Sequence, residues 1–438
     1  MKLDPIFIHS LFRSGSTYLF YVFRRSIAKY WCYQESIHEM ITYVNEEPQR
    51  LNSKEFSSFE VLRHPYIGEG YFHELMMIWP AWKNMLPGDA VYDGYFSPPN
   101  IDIGIPYLQT LIQVARGRPV FQECRTSGRI STLKRTLGGF HIYLFRNPWD
   151  QWWSYKINRY FDVANLLIIN APNAPTPVRL AREALSIEDW THSNVEYGFQ
   201  YYWEKYLSSE ESYLVFYLIW CLGLSEGMRY ADLLLSIDRL TDSSSYRIEI
   251  QNQLKGVCID EIDFSDCRVP QGRYLDQDLS FFRPLEERVH QWLINGGWTL
   301  DHLQQVQDLR FKFQPKLLDK SIEKNSPLYL TEQVSQAREL ARHYETTIAD
   351  LTKQVSQARE LARHYETTIA DLTEQVSQSR ELARHYETTI AEYEISEKQI
   401  KLTLETIYVS RSWRVTFPLR WISQRLRRIT KSVGIGGG

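Results

Sequence analysis

The sequence predicts an α/β protein: a parallel sheet flanked by helices, followed by a long α-helical coiled coil. Three observations carry this. Up to about Leu318, short apolar runs alternate with helical stretches, the pattern of a mostly parallel sheet covered on both faces. Two of those runs end in a turn that holds an arginine and opens a helix. Beyond them, one 21-residue unit is repeated three times almost unchanged.

The first strand candidate, Ile6 to Ile8, leads into a turn of Arg13, Ser14, Gly15, Ser16 and Thr17. A helical pattern through Leu19, Phe20 and Phe23 follows. Strand, glycine turn and helix start make an anion site, because free backbone N–H groups and the positive helix end point at the turn. Arg13 adds a permanent charge whose planar fork suits phosphate or sulfate oxygens. A second strand is expected to end at Glu35. Further candidates are Pro119 to Phe121, Ile142 to Phe145 and Leu233 to Ile237. The run at 142–145 repeats the first design, with Arg146 at its end, Pro148 opening a helix and Ser154 two turns on. Ligands of such sheets bind beyond the carboxyl ends of the strands, where both arginine turns lie. The apolar run Tyr213 to Leu224 is too short to span a bilayer and reads as a buried core helix.

Residues 330–350, 351–371 and 372–392 are copies of one unit that differ only at Lys353, Ser379 and Glu392. Twenty-one residues are three heptads. Val334, Ala337, Ala341, Tyr344, Ile348 and Leu351 follow the spacing of a left-handed coiled coil. The pattern continues through Tyr393, Ile400, Leu404 and Ile407 with one break at Glu397, a rod of roughly 90–110 Å. The unit contains no Gly or Pro, so a solenoid of paired helices is disfavoured. A homo-oligomer is expected, its number and orientation left open by alanine at two seam positions per unit. The tail carries seven basic residues from Arg411 to Lys431, interleaved with Trp413, Phe417 and Trp421, and no acid follows Glu405. A basic aromatic helix can lie on an anionic bilayer; the plain alternative is a solvated end. The expected domains are therefore 1–318, a linker at 319–329, a coiled coil at 330–407 and a basic aromatic tail at 408–438.

Composition narrows the class further. With 43% apolar and 24% charged residues, the 438-residue chain reads as globular, and its net charge of −3 names no partner. Five scattered cysteines, none spaced C-x-x-C, argue against a disulfide framework or zinc site. The first residues make no signal peptide. A cytoplasmic protein is expected, with no metal and no nucleic-acid partner.

Arg13-Ser-Gly-Ser-Thr-Tyr18 after a first strand resembles the 5′-phosphosulfate loop of sulfotransferases that use 3′-phosphoadenylyl sulfate. Arg146 and Ser154 resemble that family's arginine–serine pair for the 3′-phosphate. Either motif alone is weak, but the two together, in this order and each at a strand end, are specific. The likeness covers roughly residues 5 to 310. It implies a P-loop-like phosphosulfate loop in which Ser14, Gly15, Ser16 and Thr17 cradle the donor and Arg13 stabilises its bridging oxygen. It also implies that Tyr18 stacks on adenine and that Arg146 and Ser154 hold the 3′-phosphate. Glu35, 22 residues after Arg13, stands where carbohydrate and tyrosylprotein sulfotransferases have a catalytic glutamate. It would take the acceptor's proton if partial burial raises its pKa. His38 is the rival base. Arg125, with Arg129 as alternative, matches a basic residue that contacts the sulfuryl group.

The late Gly-rich loop of the small-molecule branch is missing, with Gln271-Gly-Arg273 only a faint candidate. This favours the carbohydrate or bacterial branch, and a saccharide or glycolipid acceptor. The tail is similar to Ser-Arg-Ser-Trp-Arg tails of bacterial glycosyltransferases in surface-polysaccharide assembly, which adds peripheral contact with the inner face of a membrane. Trp149, Trp152 and Trp153 would line a sugar face or, as is commoner for helix aromatics, the core. Two other classes compete. A P-loop nucleotide kinase or phosphotransferase would need Gly-x-x-x-x-Gly-Lys-Ser/Thr, and here the first glycine and the lysine are absent. A non-catalytic coiled-coil scaffold would need no intact arginines.

Overall fold

The computed structural model describes residues 4–43, 51, 70–96, 103–188, 195–315, 317 and 327–433. Five strands form its centre: β1 (Ile6–Ser10), β2 (Tyr30–Gln34), β3 (Arg118–Glu123), β4 (Phe140–Phe145) and β5 (Leu233–Ser236). They lie in the order β2-β3-β1-β4-β5, and every pairing is parallel. All five expected runs are strands, and β2 ends one residue before Glu35.

The two-residue period of the strands sorts side chains onto two faces. Ile6, Ile8, Val120, Ile142, Leu144 and Leu235 bury one face against α1 (Ser16–Arg24). Phe7, Tyr33, Phe121 and Tyr143 join the larger core on the other. With both faces covered, the strands read as nearly continuous apolar runs, which made them legible in sequence.

Further helices frame the carboxyl edge: α2 (Glu39–Tyr43), α3 (Pro148–Tyr155), α4 (Tyr160–Ile169), α5 (Ser209–Tyr230) and α6 (Ile237–Asp242). The run 213–224 lies inside α5, which opens on a reciprocal cap. Glu211 N–H donates to Ser208 Oγ at 3.1 Å, and Ser208 N–H to Glu211 Oε2 at 2.8 Å. Gly227 lets α5 approach the sheet, since a Cβ there would stand 2.4 Å from Tyr143 Cγ. Among the described residues, no helix is long and apolar enough to cross a membrane.

The chain divides into a unit at Met1–Glu323 and one at Lys324–Gly438. Most of the expected linker, 319–326, and the last residues, 434–438, lie outside the described residues. The second unit holds α7 (Pro327–Val409, 83 residues), which runs through Glu397 unbroken, and α8 (Arg411–Val433), with Pro418 inside it. Repeated sequence gives repeated bonding along α7. Thr367 and Thr388, one unit apart, each donate to the carbonyl one turn back at 2.9 Å.

Candidate active site

The turn after β1 is built on two left-handed residues, Arg13 at φ 62° and Gly15 at φ 90°. Gly15 is required twice over, because a Cβ on it would meet Ile237 Cγ1 at 2.8 Å. It is also the N-cap of α1, and no side chain caps that helix, so its first N–H groups face the turn. Ser14 is fully buried, and its hydroxyl has no hydrogen-bonding partner. Leaving such a group unmet costs about 1–3 kcal/mol, a reason to expect an acceptor there. Ser16 Oγ lies 3.6 Å from Cys124 Sγ, and Thr17 is buried beside it. The residues present therefore fit an anionic donor group.

The second arginine turn differs from the first. Asn147 caps α3, its side chain accepting the Asp150 N–H at 3.0 Å, so this helix start is already satisfied. Arg146 is nearly buried and donates to the carbonyls of Arg13 and Pro270. Its Nε, 3.8 Å from Asp238 Oδ1, has no hydrogen-bond partner. Burial pushes the Asp238 carboxyl up to about 6, although Arg146 and the Asn147 N–H oppose this. Ser154 meets the other arginine: Arg13 Nε donates to Ser154 Oγ at 2.8 Å. The segment after Val269 lies against Arg146, and Gly272 N–H donates to Asp150 Oδ1 at 2.7 Å. Tyr18 is tied down, its hydroxyl donating to Asp266 Oδ1 at 2.8 Å.

At the ends of β2 and β3 lies a buried charge cluster. Glu35 holds a left-handed backbone, φ 42°, which turns its side chain off the strand path. Arg125, completely buried, donates to Glu35 Oε2 and, at 2.8 Å, to Glu39 Oε2. Tyr71 donates to Glu35 Oε1; Tyr160 donates to Glu39 Oε1 at 2.6 Å and Tyr92 to its Oε2 at 3.2 Å. Burial pushes the Glu35 carboxyl up, but Arg125, His38 and the Tyr71 hydrogen bond together hold it below the usual carboxylate range. The expected raised pKa is thus corrected, because its burial comes with a cation. Glu39 is lowered for the same reasons.

The pKa of His38 is lowered chiefly by burial, against the pull of Glu39 and Glu35, and its Nδ1 accepts the Met40 N–H at 3.1 Å. Arg129 turns away, donating to the Ala90 carbonyl at 2.7 Å. Trp149 and Trp152 are core residues, whereas Trp153 is exposed. Four residues of the cluster were not singled out from sequence: Glu39, Tyr71, Tyr92 and Tyr160. Glu39 had a signal, a second carboxylate four residues past Glu35 in the same segment; the tyrosines come from segments that only folding joins.

No family model, no curated protein and no solved structure matches this chain.

Proposed function

We propose that the chain is a sulfotransferase that moves a sulfuryl group from 3′-phosphoadenylyl sulfate to a hydroxyl of a saccharide or glycolipid. One observation carries this: an uncapped helix start, with Arg13 and an unpartnered buried Ser14 hydroxyl, shares the sheet edge with the Glu35–Arg125 pair. Anion binding and a carboxylate base are what sulfuryl transfer requires of a protein, since positioning and charge stabilisation dominate such in-line displacements. The donor supplies the sulfuryl group and carries away the leaving charge.

The chain's own residues divide the remaining work. The α1 N–H groups with Ser14, Ser16 and Thr17 bind the donor's anionic end, and Arg13 faces the developing charge. Arg146, with its unpartnered Nε, takes the 3′-phosphate after giving up backbone carbonyls. Glu35 accepts the acceptor's proton, and Arg125 orients it. Calorimetry on the full chain tests the reading: 3′,5′-adenosine bisphosphate binds and ATP does not. ATP binding alone would support a phosphotransferase, and binding of neither a scaffold.

For the second unit, the same reading is a cytoplasmic homo-oligomer held at an anionic membrane. In the single chain the seam side chains Tyr365, Ile369, Leu372 and Val376 are all exposed, an apolar row awaiting a partner helix.

A further inference from the structure

Tyr71 belongs to neither motif, yet its hydroxyl donates to Glu35 Oε1. Arg125 occupies Oε2, so the phenol holds the carboxylate oxygen that an acceptor hydroxyl would use. The ring is packed in place, edge-on to Phe72 with centroids 4.9 Å apart. Phe72 in turn stands edge-on to His38 at 5.5 Å. Arg125, which holds the other oxygen of Glu35, follows Cys124 in the chain, and that thiol lies 3.6 Å from both Ser10 Oγ and Ser16 Oγ, at the mouth of α1. The Glu35–Arg125–Tyr71 cluster and the donor turn therefore meet at the end of β3.

We propose that Tyr71 is an internal acceptor: with donor bound and no saccharide in the site, the sulfuryl group is transferred to the Tyr71 phenol. This rests on the sulfotransferase reading above. In the step, a bond forms between Tyr71 Oη and sulfur while the bond from sulfur to the donor's phosphate oxygen breaks. The phenolic proton passes to Glu35 Oε1, and the electron pair of the broken bond stays on 3′,5′-adenosine bisphosphate. No further reactant is needed. Burial and the neighbouring carboxylate keep the resting phenol protonated, so the proton leaves during the transfer and not before it. The ester would set an anion beside Glu35 and Glu39, closing the seat to saccharides.

The test incubates full-length protein with 3′-phosphoadenylyl sulfate and no acceptor, followed by peptide mapping by mass spectrometry. One sulfuryl group is expected on the Tyr71 peptide, none on Tyr71→Phe, and at most a trace on Glu35→Gln. Tyr71→Phe should keep wild-type affinity for the bisphosphate, which separates loss of the acceptor from loss of the fold. Tyr71→Ala, with phenol added, should yield phenyl sulfate. Wild-type protein that binds the bisphosphate but leaves Tyr71 unmodified would overturn the proposal alone. Failure to bind the bisphosphate would overturn the sulfotransferase reading, and this proposal with it.

Discussion

Arg125 serves two carboxylates with one guanidinium, and three tyrosine hydroxyls complete the set of donors. Such a cluster keeps Glu35 ionised, ready to accept a proton but with modest basicity. Glu35→Gln should therefore leave bisphosphate binding intact while lowering turnover by about 10²–10⁴. Near wild-type turnover in that variant would make Glu35 structural. The pH profile follows from the lowered pKa: Glu35 is protonated, and activity lost, only as pH falls below the ordinary glutamate range. Tyr71→Phe removes a hydrogen bond to the ionised form, so it should move that acid limb upward. Arg146 has a different task. Arg146→Ala should weaken 3′,5′-adenosine bisphosphate by about 2–3 kcal/mol and leave AMP nearly unchanged. Equal losses for both ligands would mean that Arg146 does not read the 3′-phosphate.

Between β1 and β4, a pair of buried imidazoles joins neighbouring strands. His141 Nε2 faces the Gly138 carbonyl at 2.9 Å, so it carries the proton and leaves Nδ1 to accept from His9 Nε2, also at 2.9 Å. His9 Nδ1 then accepts from the Thr126 hydroxyl at 2.7 Å. Every nitrogen is satisfied with both rings neutral. Burial lowers the His141 pKa to about 4 and that of His9 well below its ordinary value. The unfolded chain takes up these protons near the ordinary histidine value, so stability is full above about 6.5 and falls as pH drops towards 4. His141 alone contributes about 3 kcal/mol to that loss. Chemical denaturation from pH 7 to 4 should show the slope, and His141→Asn should flatten it; an unchanged slope would remove His141 from the account. In the second unit, the seam that ends at Ile407 would continue at Arg411 and Arg414. The aliphatic row of α8, Val415, Leu419, Ile422 and Leu426, is offset by one residue. That one-residue offset makes α8 a separate surface and not an extension of the heptad row of α7.

For the whole molecule, the division at Glu323 would, under the proposed function, separate chemistry from assembly. Each basic residue near an anionic surface contributes about 1 kcal/mol, and the proposed assembly would present several tails at once. A truncation after Glu323 should be monomeric, should stay in solution with anionic vesicles, and should bind the bisphosphate as full-length protein does. Sedimentation and vesicle co-sedimentation at low salt measure this. Full-length protein that runs as a monomer, or ignores the vesicles, would show that the rod and tail act otherwise.

What the sequence by itself determined is whatever local periodicity and backbone chemistry encode. Two-sided burial wrote the strands as apolar runs, Gly15 marked the turn, and the heptads marked α7, because each depends on residues close in the chain. Arg13 and Glu35 were legible because each sits at the end of such a run. Tertiary structure alone decided who pairs with whom. Ser154 stands with Arg13, Asn147 closes the second helix start, and Tyr71, Tyr92 and Tyr160 converge on two carboxylates from segments up to 121 residues apart. It also reversed the expected pKa of Glu35, for a sequence shows that a carboxylate will be buried but not that a cation 90 residues away is buried against it.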